Sequence, residues 1–247
     1  MSDTTISTTK KSAGMFESMM LKMFTHRAKI VEIEELGPAF RIITLAGDAL
    51  LDLAWTPGDK IQIQFGGWVQ RTYTPMDWDA KSGRTRILVY LHSDSPGVQW
   101  ARAARPGDEC VFFGPRKSVR LAHPQAGVLF FGDETSLGLA VALSSQVSAP
   151  AMQMLFEVSV PADAMAVIDR LNMGGAQLVA RLGSDAHFTT LEEHMAALLQ
   201  EHPGADIVLT GKAATIQCMQ RLLKHHGVAA SRRQSKAYWA TGKTGLD

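Results

Sequence analysis

The pattern of predicted secondary structure changes near Gly127, and this change constrains the fold more than any other feature of the sequence. Before it, apolar and polar residues alternate in short runs, and residues 60–65 alternate without interruption. Such alternation is typical of antiparallel strands with one solvated face. After it, apolar strands alternate with helices, which predicts a parallel sheet covered on both faces.

The first part of the chain is predicted to form a small antiparallel β-barrel. Turn residues such as Pro57-Gly58-Asp59 separate the alternating runs at the positions where hairpins would reverse the chain. Several short strands with such breaks indicate a barrel. Strands are predicted at residues 28–34, 40–45, 60–65, 71–74, 85–91 and 109–113, with one helix at 96–104.

The second part is predicted to form an α/β unit, with strands at 127–131, 152–158, 177–182, 206–209 and 236–240 and helices at 134–147, 161–171, 191–201 and 213–226. We therefore predict a flexible N-terminal segment at 1–24, a barrel domain at 25–122 and an α/β domain at 123–247. Residues 15–24 are apolar but shorter than the about 20 residues that span a bilayer. They are predicted to form a short docking helix.

Composition excludes several classes of function. The 247 residues carry a formal net charge of +1 without a long run of lysine or arginine, which argues against a nucleic-acid partner. Cys110 and Cys218 form no Cys-x-x-Cys pair, so neither a disulfide framework nor a metal centre is expected. No signal peptide and no stable membrane insertion are expected, and we predict a cytoplasmic protein.

Residues 71–74 carry the most specific chemistry of the barrel. Side chains alternate along a strand, so Arg71 and Tyr73 point to the same side. A guanidinium can hold a phosphate with paired donors, an aromatic ring can lie against a flavin, and the hydroxyl of Thr74 can bond the flavin edge. The pattern fits FAD, and it fits a solvated barrel face equally well.

A second candidate phosphate contact lies at the start of the helix predicted at 96–104. Small residues precede this helix, so its first backbone N–H groups and its positive dipole end are open to an anion. Gly97 and Val98 would supply these N–H groups. The preceding His92 fits the same site, or it merely caps a turn at the end of a strand.

Ligands of parallel sheets bind beyond the carboxyl ends of the strands. Asp133, Glu134 and Thr135 follow the first predicted strand of the α/β unit, and Lys212 follows a later one. Asp133, Glu134 and Lys212 are therefore candidate nicotinamide contacts. Gly132 and Gly138 are too far apart for the dinucleotide fingerprint, and a solvated lysine at a helix start is an equally good interpretation of Lys212.

Together these motifs resemble the siderophore-interacting proteins, the FAD-dependent ferric-siderophore reductases of the ferredoxin reductase superfamily. The resemblance extends from about His26 to the C-terminus and depends on the order and spacing of the motifs. They are Arg71-Thr72-Tyr73-Thr74-Pro75, His92 with Trp100-Ala101, residues 104–108, Gly114-Pro115, residues 132–137, and Tyr238-Trp239 with Gly242. Ser95 departs from the pattern, since family members often have glycine before the proline of the phosphate loop.

The resemblance implies a six-stranded antiparallel Greek-key FAD-binding β-barrel followed by a parallel-sheet α/β NAD(P)-binding domain. The FAD-binding residues that it implies are Arg71, Thr72, Tyr73, Thr74, Leu91, His92, Gly97, Val98, Trp100, Ala101 and Thr135. Trp239, on the last strand, becomes a candidate cover for the flavin ring; a core tryptophan is the alternative.

The resemblance further implies an NAD(P)H-dependent ferric-siderophore reductase that acts in iron uptake. Hydride would pass to FAD and electrons would pass singly to Fe(III), whose reduction loosens the chelate. The implied substrate is a ferric siderophore or another ferric chelate. Candidate contacts for its negative charge are Arg232, Arg233, Lys236 and Lys243, although such a charge run is more often a solvated face.

Two other functions stay open from the sequence. One is a general flavin reductase or an electron-transfer flavoprotein that exchanges electrons with ferredoxin. The other is a siderophore-binding protein without enzymatic activity. The presence of bound flavin and the identity of the electron donor would distinguish them.

Overall fold

The computed structural model describes residues 25–66, 69–147 and 151–242. The docking helix predicted at 15–24 lies outside the described residues. The described chain forms a seven-stranded antiparallel sheet followed by a five-stranded parallel sheet with helices, so the predicted fold class is confirmed.

The antiparallel sheet contains the strands β1 (His26–Leu36), β2 (Phe40–Ala46), β3 (Lys60–Gln64), β4 (Gln70–Tyr73), β5 (Pro75–Asp79), β6 (Arg84–Tyr90) and β7 (Glu109–Arg116). Their order in the sheet is β4-β3-β7-β1-β2-β6-β5. Helix α1 (Pro96–Ala103) connects β6 to β7. Apolar side chains from alternate positions, among them Ile30, Ile61 and Phe112, fill the space inside.

The barrel is closed by a bend in the chain. The strands at the two edges of the sheet, β4 and β5, are consecutive and are separated only by Thr74. β4 pairs with β3 and β5 pairs with β6, so this one bent segment joins both edges. The structure therefore has one strand more than the six predicted, because residues 70–79 form two strands around Thr74.

The parallel sheet has the order β10-β9-β8-β11-β12. Its strands are β8 (Val128–Asp133), β9 (Met152–Val158), β10 (Gln177–Ala180), β11 (Asp206–Lys212) and β12 (Arg233–Trp239). Its helices are α2 (Leu137–Ser144), α3 (Pro161–Arg170), α4 (Phe188–Glu201) and α5 (Ala213–His225). Along β8, Phe130 packs on the α2 and α3 side and Phe131 packs on the α4 and α5 side, so both faces are buried.

Helix α2 joins the two sheets. Its sequence is apolar all round, as expected for a helix buried on every side. Leu137 and Leu139 share one core with Phe40 and Met76 of the barrel and with Phe130 of the parallel sheet. The helix predicted at 134–147 begins with a 3₁₀ turn, Glu134–Ser136, and ends earlier, at Ser144. This shared core packs the barrel and α2 against one face of β8 and β9.

The described residues contain no helix that combines the length and the hydropathy needed to cross a membrane.

Candidate functional site

A cavity of about 360 Å³ lies between the barrel, the start of α1 and the carboxyl edge of the parallel sheet. Its size falls in the range of small-molecule and cofactor sites. Both halves of the chain contribute to its wall. The lining residues are Arg71, Thr72, Tyr73, Thr74, Leu88, Val89, Tyr90, His92, Ser93, Ser95, Gly97, Val98, Thr135, Gly138, Leu139, Tyr238, Trp239 and Ala240.

The barrel wall of the cavity comes from β4. Tyr73 pairs with Ile61 and Arg71 pairs with Ile63, so the two side chains share one face of the strand, as predicted. Burial raises the pKa of the Tyr73 phenol, the opposite effect of Arg71 being smaller, so the ring stays neutral. The guanidinium of Arg71 donates one bond to the Gln70 carbonyl, at 2.7 Å.

The start of α1 lies directly against these two side chains. A Cβ atom on Gly97 would stand 2.8 Å from the Tyr73 hydroxyl and 3.1 Å from Arg71 Cγ. Glycine is therefore required for this approach. Ser95 precedes the helix in an extended conformation and makes no capping bond with its side chain. The backbone N–H groups at this helix start and the Arg71 guanidinium together form a site suited to a phosphate.

His92 lies at the cavity rim, stacked on Tyr90 with ring centroids 4.8 Å apart. Its Nδ1 is 3.2 Å from the Tyr90 carbonyl oxygen. His92 therefore lines the cavity, as a cofactor contact would, and it also follows the end of β6, as the alternative proposed.

Three predicted cofactor residues stand behind the cavity wall. Trp100 packs on Phe65 and Tyr73, with ring centroids 5.2 and 6.2 Å apart. Ala101 is buried in the barrel core, where its carbonyl accepts a bond from Arg41, and Leu91 packs against the same core. The structure thus places Trp100, Ala101 and Leu91 as supports of the wall and not in its lining.

The opposite wall is formed by the end of β12. Lys212 of β11 pairs with Trp239 while Gly211 pairs with Ala237, so Tyr238 is an additional residue in β12. This β-bulge changes the alternation of side chains, which is how bulges redirect residues near binding sites. Tyr238 and Trp239 both line the cavity as a result. Strict alternation would have placed these neighbours on opposite faces.

Asp133 ends β8 and organises this wall. Its Oδ2 accepts a bond from Trp239 Nε1 at 2.7 Å, and its Oδ1 accepts the backbone N–H of Thr135 at 2.9 Å. Thr135 lines the cavity, whereas Asp133 is fully buried. Gly211 has a φ of +102°, and a Cβ there would lie 2.5 Å from the Asp133 carboxyl. Glycine at 211 therefore serves both the bulge and the carboxylate.

A buried ionic network continues along the carboxyl ends of the strands. Arg181 Nη2 is 2.9 Å from Glu134 Oε2, and Arg181 Nε is 2.7 Å from Glu157 Oε1. Glu157 also accepts a bond from Thr215 at 2.6 Å and lies 3.0 Å from His187 Nε2. Glu134 is thus a partner of Arg181, and the structure does not bring it into the cavity lining.

Lys212 is held by the protein. Its Nζ lies 2.9 Å from Asp185 Oδ1 and 5.7 Å from the centroid of the Phe188 ring. The side chain is largely buried, so it is not a solvated lysine. It stands beside the carboxyl edge of the sheet but is not part of the cavity lining.

The substrate candidates differ in position. Arg232 donates to the carbonyl of Ala205, and Arg233 begins β12, at the end of the strand away from Trp239. The strand rises about 3.3 Å per residue, so these arginines lie roughly 20 Å from Trp239. Lys236 precedes Tyr238 by two residues and shares its face, while Lys243 lies outside the described residues.

Several site residues carried no recognisable signal in the sequence. Leu88, Val89 and Tyr90 belong to β6, and their place in the wall depends on the closure of the barrel. Arg181 and Glu157 meet Glu134 only through the parallel order of β8, β9 and β10. The pattern of strands predicted that the carboxyl ends of these strands meet at one edge of the sheet. It did not predict the contacts that Arg181 and Glu157 make there.

The residues of the cavity fit a flavin nucleotide. A guanidinium and open helix N–H groups converge where phosphates would be held, because Gly97 lets the start of α1 approach Tyr73 and Arg71 closely. The aromatic residues Tyr73, Tyr238 and Trp239 line the rest of the wall, as a flat heterocycle requires.

An antiparallel barrel followed by a parallel α/β sheet, with such a cavity between them, defines the ferredoxin reductase-like proteins. A ferredoxin-NADP⁺ reductase from Plasmodium falciparum shares this fold with a TM-score of 0.65 at 11% identity, over 87% of this chain and 96% of that chain. The prediction of FAD and NAD(P)H as cofactors agrees with this fold.

Within that class, residues 66–119 match the family model described as the siderophore-interacting FAD-binding domain. A siderophore utilization protein from T. fusca has a TM-score of 0.72 and 24% identity over 90% of this chain and 95% of that chain. The siderophore-interacting protein SipS from Aeromonas hydrophila has a TM-score of 0.73 and 22% identity over 90% and 93%. The predicted resemblance to siderophore-interacting proteins and the FAD prediction are thereby confirmed.

No curated protein matches the chain.

Proposed function

We propose that the protein is an NAD(P)H-dependent, FAD-containing reductase of ferric siderophores, which releases Fe(II) for iron acquisition. The observation that supports it most is the cavity shared by the two sheets, whose β4 wall lies within the matched FAD-binding domain. The proposed domains are 25–122 for FAD and 123–247 for NAD(P)H. A cytoplasmic location belongs to this proposal and is supported by the two free, buried cysteines.

The proposed roles of the barrel residues follow from their chemistry. Arg71 and the N–H groups at Gly97 and Val98 hold the pyrophosphate of FAD, since both supply donors and positive charge. Tyr73 offers an aromatic surface to the ring, and Thr74 offers a hydroxyl to its polar edge. Trp100 supports Tyr73 from behind.

The α/β half is proposed to admit the nicotinamide donor at the carboxyl edge of its strands. FAD held in this cavity would supply the chemistry that links a two-electron hydride donor to the one-electron acceptor Fe(III). Thr135 and Trp239 line the cavity on this side. In this proposal the residues of the chain bind and orient FAD and the nicotinamide donor. None of them is assigned a role in proton transfer.

Lys236 is the substrate contact that we propose. It shares the face of Tyr238, which lines the cavity, and its charge would attract an anionic ferric complex. Arg232 and Arg233 lie at the far end of the strand and are not proposed to contact the complex.

The test begins with the full chain purified and titrated with FAD. We expect one FAD per chain and a yellow protein whose absorbance bleaches under NADH or NADPH without oxygen. Adding a ferric siderophore should restore the oxidised spectrum and produce Fe(II), trapped by a ferrous chelator. The FAD-binding variant R71A serves as the matched control for free-flavin chemistry.

The same experiment separates the alternatives. Bleaching by reduced ferredoxin but by neither nicotinamide would identify a ferredoxin-linked flavoprotein. Rapid turnover with free flavin but none with ferric complexes would identify a general flavin reductase. A colourless protein that takes up no FAD would contradict the redox function altogether and leave siderophore binding as its role.

A further inference from the structure

The carboxyl group of Asp133 joins two residues of the cavity wall that are far apart in the sequence. Its Oδ1 accepts bonds from the backbone N–H and the hydroxyl of Thr135, at 2.9 and 2.5 Å. Its Oδ2 accepts the indole N–H of Trp239 at 2.7 Å. Asp133 itself is 1% exposed. One buried carboxylate therefore determines where both Thr135 and Trp239 stand.

Trp239 has a second support that would stay in place if the first were lost. Arg181 Cζ lies 5.6 Å from the centroid of the indole, within the range of a cation–π contact. Arg181 is itself fixed by Glu134 and Glu157. The position of the Trp239 indole N–H thus depends on Asp133. The indole ring is also held by Arg181, whose own position is fixed by its ion pairs with Glu134 and Glu157.

We propose that Asp133 is the positioning residue of this cavity wall and that its protonation weakens the hydrogen bond that holds the indole N–H of Trp239. The inference rests on the proposed function in so far as the cavity holds FAD. The hydrogen bond between Asp133 and Trp239 belongs to the chain alone and can be measured without cofactor.

Counting donors explains the effect of one proton. Oδ1 already receives two donors from Thr135 and a third, at 3.5 Å, from the Ser136 hydroxyl, so an added proton goes to Oδ2, the atom to which Trp239 donates. A charge-assisted bond then becomes a neutral one, which is roughly half as strong. Burial raises the pKa of Asp133 to about 6, against the lowering effect of its hydrogen bonds, so the change falls close to neutral pH.

Other ionisable groups face the same region and must be separated from Asp133. They are Tyr90 on β6, Glu134 after β8, Glu157 on β9, Arg181 after β10, His187 before α4, and the pair of Lys212 with Asp185. D133N removes the Asp133 titration and leaves all of these in place. Thr135 and Trp239 donate to different carboxyl oxygens, and asparagine replaces one of these oxygens with an NH2 group, which cannot accept a bond.

The experiment follows the tryptophan indole N–H signals of the full-length chain by proton–nitrogen correlation NMR across a pH range centred on about 6. W239F assigns the Trp239 signal. The Trp78 indole, which donates to the Leu50 carbonyl at 3.0 Å, is the internal reference. D206N is the matched control, because Asp206 is also buried but begins β11 at the other end of the sheet.

We expect the Trp239 signal to move upfield as the pH falls, with a midpoint near 6. In D133N the Trp239 signal should show no step near pH 6, and in D206N it should titrate as in the wild type. A wild-type Trp239 signal that stays fixed, or a D133N signal that titrates as before, overturns the proposal. If D133N does not fold, the wild-type titration with the W239F assignment decides alone.

A second measurement links the bond to the cofactor. With FAD bound, the visible circular dichroism of the flavin should change with the same midpoint and should not change in D133N. A protein that shows the indole step but reduces no ferric complex would remove the proposed function and leave the inference standing. A protein that reduces ferric complexes but shows no indole step would support the proposed function and overturn the inference.

Discussion

Gly97 determines how closely α1 approaches the barrel wall, and this gives a prediction at the scale of one residue. In G97A the new Cβ would displace the Tyr73 hydroxyl or Arg71 Cγ, which lie 2.8 and 3.1 Å from its position. Overpacking of this kind costs about 1–3 kcal/mol of fold stability. Because the displaced side chains are the proposed FAD contacts, we expect a loss of about 1.4 kcal/mol of binding free energy, which is about tenfold weaker FAD binding. Titration of flavin fluorescence measures the change.

The control for this prediction is G174A, because no atom lies within 4 Å of a Cβ at Gly174. Far-UV circular dichroism should show both variants folded. An unchanged FAD affinity in G97A would contradict the assignment of Tyr73 and Arg71 as FAD contacts.

Arg71 gives the second prediction at this scale. We expect R71A to bind FAD about tenfold to hundredfold more weakly, the loss that follows removal of hydrogen bonds to a charged group. R102A is the matched control, since Arg102 is exposed on α1. Equal FAD content in R71A and R102A after purification would contradict the assignment.

Y73A should also lose FAD, through lost aromatic surface.

At the scale of elements, periodicity predicted the strands and helices because both local patterns are strong. Residues 60–65 alternate without interruption, and β3 forms there. The bend at Thr74 and the bulge at Tyr238 were not predictable, because each depends on pairing with a distant strand. The sequence indicated that Trp239 belongs to the site, but not that Tyr238 would face the same way.

The ionic network between strand ends gives a prediction for the parallel sheet. In R181M, Glu134 and Glu157 would lose the cation between them, and breaking a buried pair costs about 3 kcal/mol or more. Urea denaturation of the full chain measures the free energy of unfolding. R170M is the control, since Arg170 is half exposed in its pair with Glu34 and such a pair contributes about 1 kcal/mol or less.

This effect should depend on pH. Burial acts to raise the pKa of Glu134, but the bonds from Arg181 and Ser159 outweigh it, so the pKa is lowered below the usual value of 4.5. Stability from a depressed carboxyl pKa is lost as the pH falls through it. The difference between wild type and R181M should therefore shrink in acid. A constant difference would contradict this account.

At the scale of the whole molecule, the order of motifs along the chain was enough to predict two halves that both contribute cofactor contacts. The contacts that orient those halves could not be predicted, since α2 looks like an ordinary buried helix in the sequence. The positions of the basic residues relative to the cavity could not be predicted from the sequence either. Arg233 and Lys236 are close in sequence, yet the structure places only Lys236 on the face that leads to Tyr238.

Lys236 gives the prediction at this scale. K236E should lower kcat/KM for an anionic ferric siderophore about threefold to tenfold and leave a neutral ferric complex nearly unaffected, because steering depends on charge. Added salt should reduce the difference. R233E reverses the same charge at the far end of β12 and is the control. Equal losses in both variants, or on both complexes, would reject Lys236 as a substrate contact.

The bend at Thr74 has a consequence for the motion of the barrel. The segment around Thr74, which joins the two edges of the barrel, also lines the cavity. If the junction between these edges, the seam, opens, the binding surface is therefore disturbed as well. By mass action, an occupant of the cavity must then suppress local opening of the seam. Amide protons of β3 and β6 should exchange more slowly with solvent in the occupied protein, and those of β10, remote from the seam, should not.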